Sequence, residues 1–329
     1  MVISQMYELS MLLDNDKFQN ALNRAYSKAD YLDSNEKEYI DRSSESKGIV
    51  VTYRDSQYKK KIKLIVNAEL IVDRDKFDSG KFVRKLEKRI CEYFSHKYQI
   101  EDFTLSGMIL CADIDVHNRE NVSAYLKVFQ RIGRVKSFSP LDYDCFDDID
   151  NFCLEGNSNN IEFLLYDLES YVEKRYREAR ADRKKLKWLF KESAGILRAE
   201  VRLTKPKAIR DYTDAVEVSG QIMAFLEKYH DVFMDIFTRI IPYGDFYKKN
   251  KVVEIIRSKI EDSVLQRKML RLVALIPEKK SLYLAQKAMN CRDIKKVMKE
   301  FAKINLSPVT ISKRQEVKYL KNIYEYLLG

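Results

Sequence analysis

Ligand-forming side chains occur at every second residue of the segment 112–117, Ala-Asp-Ile-Asp-Val-His. Because side chains alternate across a β-strand, Asp113, Asp115 and His117 are predicted to share one face, opposite three apolar residues. Two carboxylates and an imidazole could bind a divalent cation, since Mg²⁺ prefers oxygen ligands and Mn²⁺ also accepts histidine. The same spacing is typical of a solvated strand edge, and a lone histidine is most often structural.

A second alternating segment, 197–203, places Arg198, Glu200 and Arg202 on one predicted strand face. Glu200 could be a further metal ligand, and Arg198 could hold a phosphate, because a guanidinium binds oxyanions through two parallel hydrogen bonds. Ion pairs between neighbouring strands are also a common structural feature of sheets. The two segments together predict metal-assisted chemistry on a phosphate, with a plain solvent-facing sheet as the alternative.

Two tyrosines stand where a phenol could attack a phosphodiester. Tyr166, followed by Asp167, ends a predicted strand directly before a basic helix, and Tyr247 precedes Lys248 and Lys249 near a predicted helix start. A helix N-terminus favours anions. A tyrosine can act as a covalent nucleophile when a cation lowers its pKa or aligns the phosphate. A packed aromatic residue is the structural alternative at both positions, and the choice between the two nucleophiles stays open.

A run of cationic residues follows Tyr166 and is predicted to form one long helix over 168–191. Such a stripe is most often a solvated helix face, but in a chain with a net charge of +10 it is also a candidate contact for a nucleic-acid backbone. The candidate DNA-binding residues are Lys174, Arg175, Arg177, Arg180, Lys184 and Lys185, together with Lys248 and Lys249.

The elements that must position these residues are predicted from apolar spacing. Predicted strands cover 7–13, 49–53, 62–72, 105–116, 152–155, 161–166 and 196–203; predicted helices cover 16–31, 79–98, 122–132 and 168–191. The pattern predicts an α+β domain over 1–212, with a mainly antiparallel sheet and helices on one face, then an all-helical C-terminal domain over 213–329.

Composition indicates a globular, basic protein. The 329 residues include 60 Lys and Arg against 50 Asp and Glu, and 21 Tyr. Cations neutralise phosphates and aromatic rings stack on bases, so a nucleic-acid partner fits this composition. AT-biased codon usage would also raise the Lys and Tyr content.

The remaining sequence features bear on the compartment. The five cysteines include no Cys-x-x-Cys pair, which argues against a zinc site and for a reducing compartment. Walker-type and Rossmann-type glycine loops are absent. Without a recognisable signal peptide or an apolar run of about 20 residues, the expectation is a cytoplasmic protein that does not bind membranes.

The order of segments resembles phage and plasmid replication initiators of the filamentous-phage gene II/X type. The matching segments are 62–70, 103–115 with Asn118 after it, 161–168, 196–203, 244–247 and 304–311. Three positions depart from the family's pattern: Leu168 replaces a Lys, Phe246 replaces a Tyr, and 304–309 reads Ile-Asn-Leu-Ser-Pro-Val where the family has Ile-Asn-Pro-Val.

The resemblance implies a rolling-circle initiator with a nuclease fold. Such a protein binds origin DNA and nicks one strand through a tyrosine, forming a 5′-phosphotyrosyl intermediate. It implies Mg or Mn bound by Asp115 and Glu200, but it does not extend to Asp113 and His117, which stay second-rank ligands on the strand pattern alone. Arg198 would hold the scissile phosphate or order the carboxylates. A host helicase and a second copy of the chain are open as partners. The alternative is a DNA-binding regulator without catalysis.

Overall fold

The computed structural model describes residues 3–25, 29–32, 37–72, 78–158, 160–178 and 191–328. Its strands are β1 (Ile3–Leu13), β2 (Ala29–Leu32), β3 (Lys37–Asp41), β4 (Ile49–Asp55), β5 (Lys60–Asn67), β6 (Thr104–Asp115), β7 (Phe138–Pro140), β8 (Asn151–Gly156), β9 (Ile161–Asp167), β10 (Ile196–Leu203), β11 (Phe246–Tyr247) and β12 (Tyr319–Leu320).

The α-helices are α1 (Asn15–Ala25), α2 (Ala68–Ile71), α3 (Ser79–Tyr93), α4 (Arg119–Gln130), α5 (Leu168–Glu178), α6 (Pro206–Arg210), α7 (Val218–Ile240), α8 (Lys249–Lys259), α9 (Ser263–Lys279), α10 (Leu282–Met289), α11 (Ile294–Lys303) and α12 (Ile323–Leu328). The structure is therefore of mixed α+β type with a large antiparallel sheet, as the sequence predicts. No helix within the described ranges has the length and apolar character needed to cross a membrane.

The chain divides into two compact units that are interleaved along the sequence. The first unit comprises 3–111 and 202–233, and the second comprises 112–201 and 234–328. The three boundaries fall inside β6, β10 and α7. The domain boundary predicted at residue 212 stays a prediction.

In the first unit the strands follow the order β2-β3-β4-β5-β1-β6. The pairings from β2 to β5, and that of β5 with β1, are antiparallel. The predicted four-residue apolar spacing of α3 is confirmed, because Phe82, Leu86 and Ile90 are all fully buried. The helix begins at Ser79 as predicted, where the carboxylate of Asp78 caps it by accepting a hydrogen bond from the backbone N–H of Lys81, and it ends at Tyr93 instead of residue 98.

The segment 202–233 is tied to the rest of the first unit at the start of α7. The carboxylate of Glu101 accepts hydrogen bonds from the backbone N–H groups of Val218 at 2.7 Å and Ser219 at 3.0 Å. These N–H groups have no partner within the helix, so a carboxylate from a distant part of the sequence satisfies them.

In the second unit the strands follow the order β6-β10-β9-β8-β7. The predicted strands 152–155 and 161–166 are confirmed as β8 and β9, which form a hairpin and pair antiparallel with Cys153 opposite Leu164. The alternation of β6 and β10 is also confirmed on the apolar side, where Ala112, Ile114 and Val116 are buried, as are Leu197, Ala199, Val201 and Leu203.

The C-terminal part contains the helices α7 to α12, the short ribbon formed by β11 and β12, and a non-helical segment over 304–318. The sequence predicts a helix beginning at 244, whereas Phe246 and Tyr247 form β11 and the helix α8 begins at Lys249. Gly244 explains the difference: its φ is +122°, and a Cβ there would lie 2.5 Å from the carbonyl carbon of Leu306. A backbone in this region cannot continue as a helix, and the close approach admits no side chain.

Candidate active site

An ion pair joins β6 and β10 on the predicted polar face. The carboxylate oxygens of Asp113 accept two hydrogen bonds from Arg198, from Nε at 2.6 Å and from Nη2 at 2.7 Å. The side chain of Arg198 is 28% exposed and that of Asp113 is 44% exposed. The fork geometry is the one a phosphate would use, and here the carboxylate occupies it.

Tyr166 and Glu200 form a second pair on neighbouring strands β9 and β10. The phenol of Tyr166 donates to Oε1 of Glu200 at 2.5 Å, and both side chains are buried. The ring of Tyr166 packs against Phe146 at 4.7 Å and Tyr171 at 5.1 Å between ring centroids. An apolar cluster from 141–149 and the start of α5 surrounds it. Tyr166 is therefore a core residue, with 1% of its surface exposed.

Asp115 and His117 lie at the exposed end of β6. Oδ1 of Asp115 accepts a hydrogen bond from the backbone N–H of His117 at 2.7 Å, and Nδ1 of His117 lies 3.7 Å from the same oxygen. His117 has a φ of +76°, so the chain turns sharply here. Gly195 makes this turn possible, because a Cβ at that position would lie 2.8 Å from the carbonyl carbon of His117.

These carboxylates do not gather into a metal site. Within the residues that the structure describes, no three His, Cys, Asp or Glu side chains come together in a way that could hold a metal ion. Asp113 is paired with Arg198, Glu200 is bonded to Tyr166, and Asp115 caps its own turn. The predicted donor set does not fit a preformed Mg or Mn site in this arrangement, and the need for a metal stays a prediction.

Tyr247 lies in β11 beside a carboxylate. Its phenol donates to Oδ2 of Asp245 at 3.3 Å, and its ring packs on Tyr319 with centroids 5.0 Å apart. Partial burial and, next, the Asp245 carboxylate raise the pKa of Tyr247 above its ordinary value. The backbone N–H of Asn322 donates to Oδ1 of Asp245 at 2.8 Å and so orients the carboxylate.

The two lysines after Tyr247 do not provide the cationic setting expected from the sequence. The ammonium of Lys248 donates to the backbone carbonyls of Ser312, at 2.6 Å, and of Gln315. Consecutive side chains in extended backbone point to opposite sides, so Lys248 diverges from the phenol of Tyr247. Lys249 lies in the first turn of α8 and is half-buried.

Asp245 interacts with Tyr125, Tyr247 and Tyr319, and Tyr125 interacts in turn with Tyr326. We call these five residues the tyrosine cluster. Burial, followed by Asp245, raises the pKa of Tyr319 to about 12. Burial and a hydrogen bond with Tyr326 raise the pKa of Tyr125. The ring of Tyr326 lies 6.1 Å from that of His117, so the cluster reaches the exposed end of β6.

Sequence reasoning missed Asp245, Tyr319 and Tyr326 as site residues. Asp245 was visible two residues before Tyr247 in the Gly-Asp-Phe-Tyr element, where a carboxylate beside a candidate nucleophile is a recognisable signal. Tyr319 and Tyr326 carry no such signal. Tyr319 reaches Tyr247 through the pairing of β11 with β12, and Tyr326 lies in the helix α12 and interacts with Tyr125.

The cationic residues on α5 have partners in the chain itself. The ammonium of Lys174 donates to the backbone carbonyl of Asp147 at 2.9 Å, and Arg177 pairs with Glu173 one turn earlier. Arg175 is exposed. The other three candidates on this predicted helix lie outside the described residues: Arg180, Lys184 and Lys185.

Comparison with known proteins adds a weak likeness. No protein-family model and no curated protein matches the sequence. A solved structure of a rolling circle replication initiator protein from Geobacillus stearothermophilus is similar with a TM-score of 0.34 and 10% sequence identity, over 73% of this chain and 86% of that chain. At this TM-score the likeness carries no argument about fold or function.

Proposed function

We propose that this protein is a replication initiator that binds origin DNA and nicks one strand by tyrosine transesterification. The observation that carries the proposal is the contact of Tyr247 with Asp245, because a nucleophile needs a base within hydrogen-bond reach and that base needs an orienting group. The backbone N–H of Asn322 is the orienting group. The resemblance of the segment order to initiators supports the same reaction, and the proposal includes their nuclease fold.

In the proposed reaction the phenolic oxygen of Tyr247 attacks a DNA phosphorus. The bond from phosphorus to the 3′-oxygen breaks, a bond from phosphorus to the tyrosine oxygen forms, and the phenolic proton passes to Asp245 and then to the departing 3′-oxygen. Attack by a 3′-hydroxyl on the phosphotyrosine reverses these changes and rejoins the strand. Arg198 would release the carboxylate of Asp113 and bind the phosphate in its place.

Tyr247 is the better nucleophile of the two tyrosines for a geometric reason. Its side chain is half-buried at the end of the tyrosine cluster, whereas Tyr166 is enclosed in the core. The proposal keeps Mg²⁺ or Mn²⁺ as a requirement. To bind the ion together, the candidate ligands Asp115, Glu200, Asp113 and His117 would have to leave the partners that they contact here.

A nicking assay tests the proposal. Purified protein is incubated with a supercoiled plasmid that carries the protein's own gene and flanking DNA, with Mg²⁺ or Mn²⁺. We expect nicked circles with protein attached at a 5′ end, and a loss of more than 100-fold in Tyr247→Phe. Tyr166→Phe is the matched control and should keep the activity. Specific binding without nicks in either metal would contradict the proposal.

The second candidate function is a DNA-binding regulator without catalysis. The observation that favours it is that polar residues of β6, β9 and β10 already pair with one another, Asp113 with Arg198 and Tyr166 with Glu200. Such pairs stabilise a sheet without any reaction. This function predicts protection of a defined DNA site from nuclease digestion, with the protected strand intact in wild type and in Tyr247→Phe alike.

A further inference from the structure

The first unit contains a cleft that the proposed nicking chemistry does not use. Its volume is about 560 Å³, which lies within the range of about 300–1,000 Å³ in which small-molecule sites occur. Residues of α1, β3, β4 and α3 line it, all within 3–111. The lining includes five cationic side chains against two carboxylates: Lys17, Arg24, Lys47, Arg89 and Lys97 against Asp41 and Glu92.

The floor of the cleft is a hydrogen-bond network in which neutral groups donate. Oδ2 of Asp41 accepts a hydrogen bond from the phenol of Tyr93 at 2.7 Å, and the phenols of Tyr93 and Tyr53 lie 3.1 Å apart. Oδ1 of Asp41 accepts from the backbone N–H of Ser43 at 2.8 Å. Burial raises the pKa of Tyr53 to about 12 and that of Tyr93 further, so both phenols stay protonated at neutral pH.

The rim of the cleft is cationic and largely uncompensated. Arg89 belongs to the wall, because its guanidinium donates to the backbone carbonyls of Lys47 and Leu70. Three exposed cations differ from it: within the described part of the chain, the side chains of Arg24, Lys47 and Lys97 make no hydrogen bond or ion pair. Cations that share one concave surface without partners create a local potential that attracts an anion.

One wall of the cleft offers aromatic surface beside these cations. Phe94 packs edge-to-face against Tyr93, with centroids 4.7 Å apart, and against Tyr98 at 5.3 Å. Tyr98 is half-exposed and lines the cleft next to Lys97. Aromatic faces beside a cationic groove are the combination that binds a base together with its phosphate.

We propose that this cleft binds a nucleotide, with its phosphates at Arg24, Lys47 and Lys97 and its base against Tyr98. The ligand is a free nucleotide or one nucleotide of a single DNA strand, which share this chemistry. The site is separate from the nicking residues, which lie in 112–201 and 234–328, so it stands or falls independently of the proposed reaction.

Calorimetric titration of the full-length protein with dTDP, with inorganic pyrophosphate and with a ten-residue oligo(dT) tests the site. We expect saturable binding of dTDP or of the oligonucleotide below 1 mM, weakened at least 10-fold in the double variant Lys47→Gln/Lys97→Gln. The matched control is Lys85→Gln, an exposed lysine of α3 that does not line the cleft. The control should bind like the wild type.

A further variant separates base recognition from charge attraction. Tyr98→Ala should weaken the binding of dTDP at least 5-fold and leave the binding of pyrophosphate within 2-fold of wild type. Binding of dTDP identifies a free nucleotide as ligand, and binding of the oligonucleotide alone identifies a strand. The proposal is overturned if no probe binds at 1 mM, if Lys47→Gln/Lys97→Gln binds within 2-fold of wild type, or if Lys85→Gln weakens binding equally.

Discussion

At the scale of single residues, Tyr247 is held next to a negative charge. Its phenol contacts the carboxylate of Asp245, and both burial and that carboxylate disfavour the phenolate. The phenol is therefore protonated at neutral pH in the protein alone. A reaction at Tyr247 must begin with transfer of this proton, and Asp245 is the acceptor within reach.

The variant Asp245→Asn should lower the pKa of Tyr247, because the contribution of the carboxylate is lost. The pKa should stay above the ordinary value, since burial is the larger cause and remains. An NMR titration with ¹³C-labelled tyrosine measures the shift, and Tyr247→Phe assigns the signal by its disappearance. An unchanged pKa would show that Asp245 does not act on the phenol.

Tyr166→Phe should lower the free energy of unfolding by about 1–2 kcal/mol, because buried Glu200 loses a hydrogen-bond donor. Chemical denaturation measures the change. Tyr58→Phe is the control, since Tyr58 is 87% exposed and its variant should stay within about 0.5 kcal/mol of wild type. A Tyr166→Phe protein that keeps full stability but cannot nick DNA would instead identify Tyr166 as the nucleophile.

At the scale of elements, one glycine allows two neighbouring segments to approach. Gly195 precedes β10 and has a φ of +74°. It contacts the turn after β6, where the backbone N–H of Val116 donates to the carbonyl of Gly195 at 3.0 Å. This approach fixes the turn that carries Asp115 and His117. A side chain at Gly195 would push directly against that turn.

Gly195→Ala should therefore destabilise the protein by about 1–3 kcal/mol, through the left-handed backbone and the clash with His117. Thermal or chemical unfolding measures the loss. The matched control is Gly80→Ala in the first turn of α3, where a Cβ meets only Asp78 at 3.5 Å. The control should be neutral or stabilising by up to about 1 kcal/mol. Equal effects of the two substitutions would contradict this explanation.

Local patterns were sufficient to predict several elements. Period-two alternation identifies β6 and β10, and the four-residue spacing of Phe82, Leu86 and Ile90 identifies α3. Each pattern lies within a short window of sequence, so it predicts the element without knowledge of distant contacts. The ribbon of β11 and β12 could not be read in this way, because its two strands are separated by about seventy residues and each is only two residues long.

The candidate site was predicted only in part, for a related reason. Alternation indicates that Asp113 and Arg198 each lie on a polar face, but not that these residues, 85 positions apart, bind each other. It also does not show that Tyr166 is covered by the segment 141–149. Pairing between distant segments decides which side chains are occupied and which are exposed, and spacing within one segment carries no information about it.

At the scale of the whole molecule, the net charge of +10 bears on any DNA partner. Each phosphate contact releases counterions, so the logarithm of the binding constant should fall with the logarithm of salt concentration, by about 0.9 for each contact with duplex DNA. A protein with about five contacts should lose roughly 500-fold between 50 and 200 mM salt. Fluorescence anisotropy over this range measures the slope, and an affinity independent of salt would argue against phosphate-dominated binding.

The interleaving of the two units affects how the chain is made. A ribosome delivers residues 3–111 first, but the first unit also needs 202–233, whose helix α7 is held at its start by Glu101. The first unit therefore cannot be completed until residue 233 has left the ribosome, after all of 112–201 has emerged. For the same reason, no single cut in the chain yields either unit intact, and isolating the first unit requires joining residue 111 to residue 202 through a new linker.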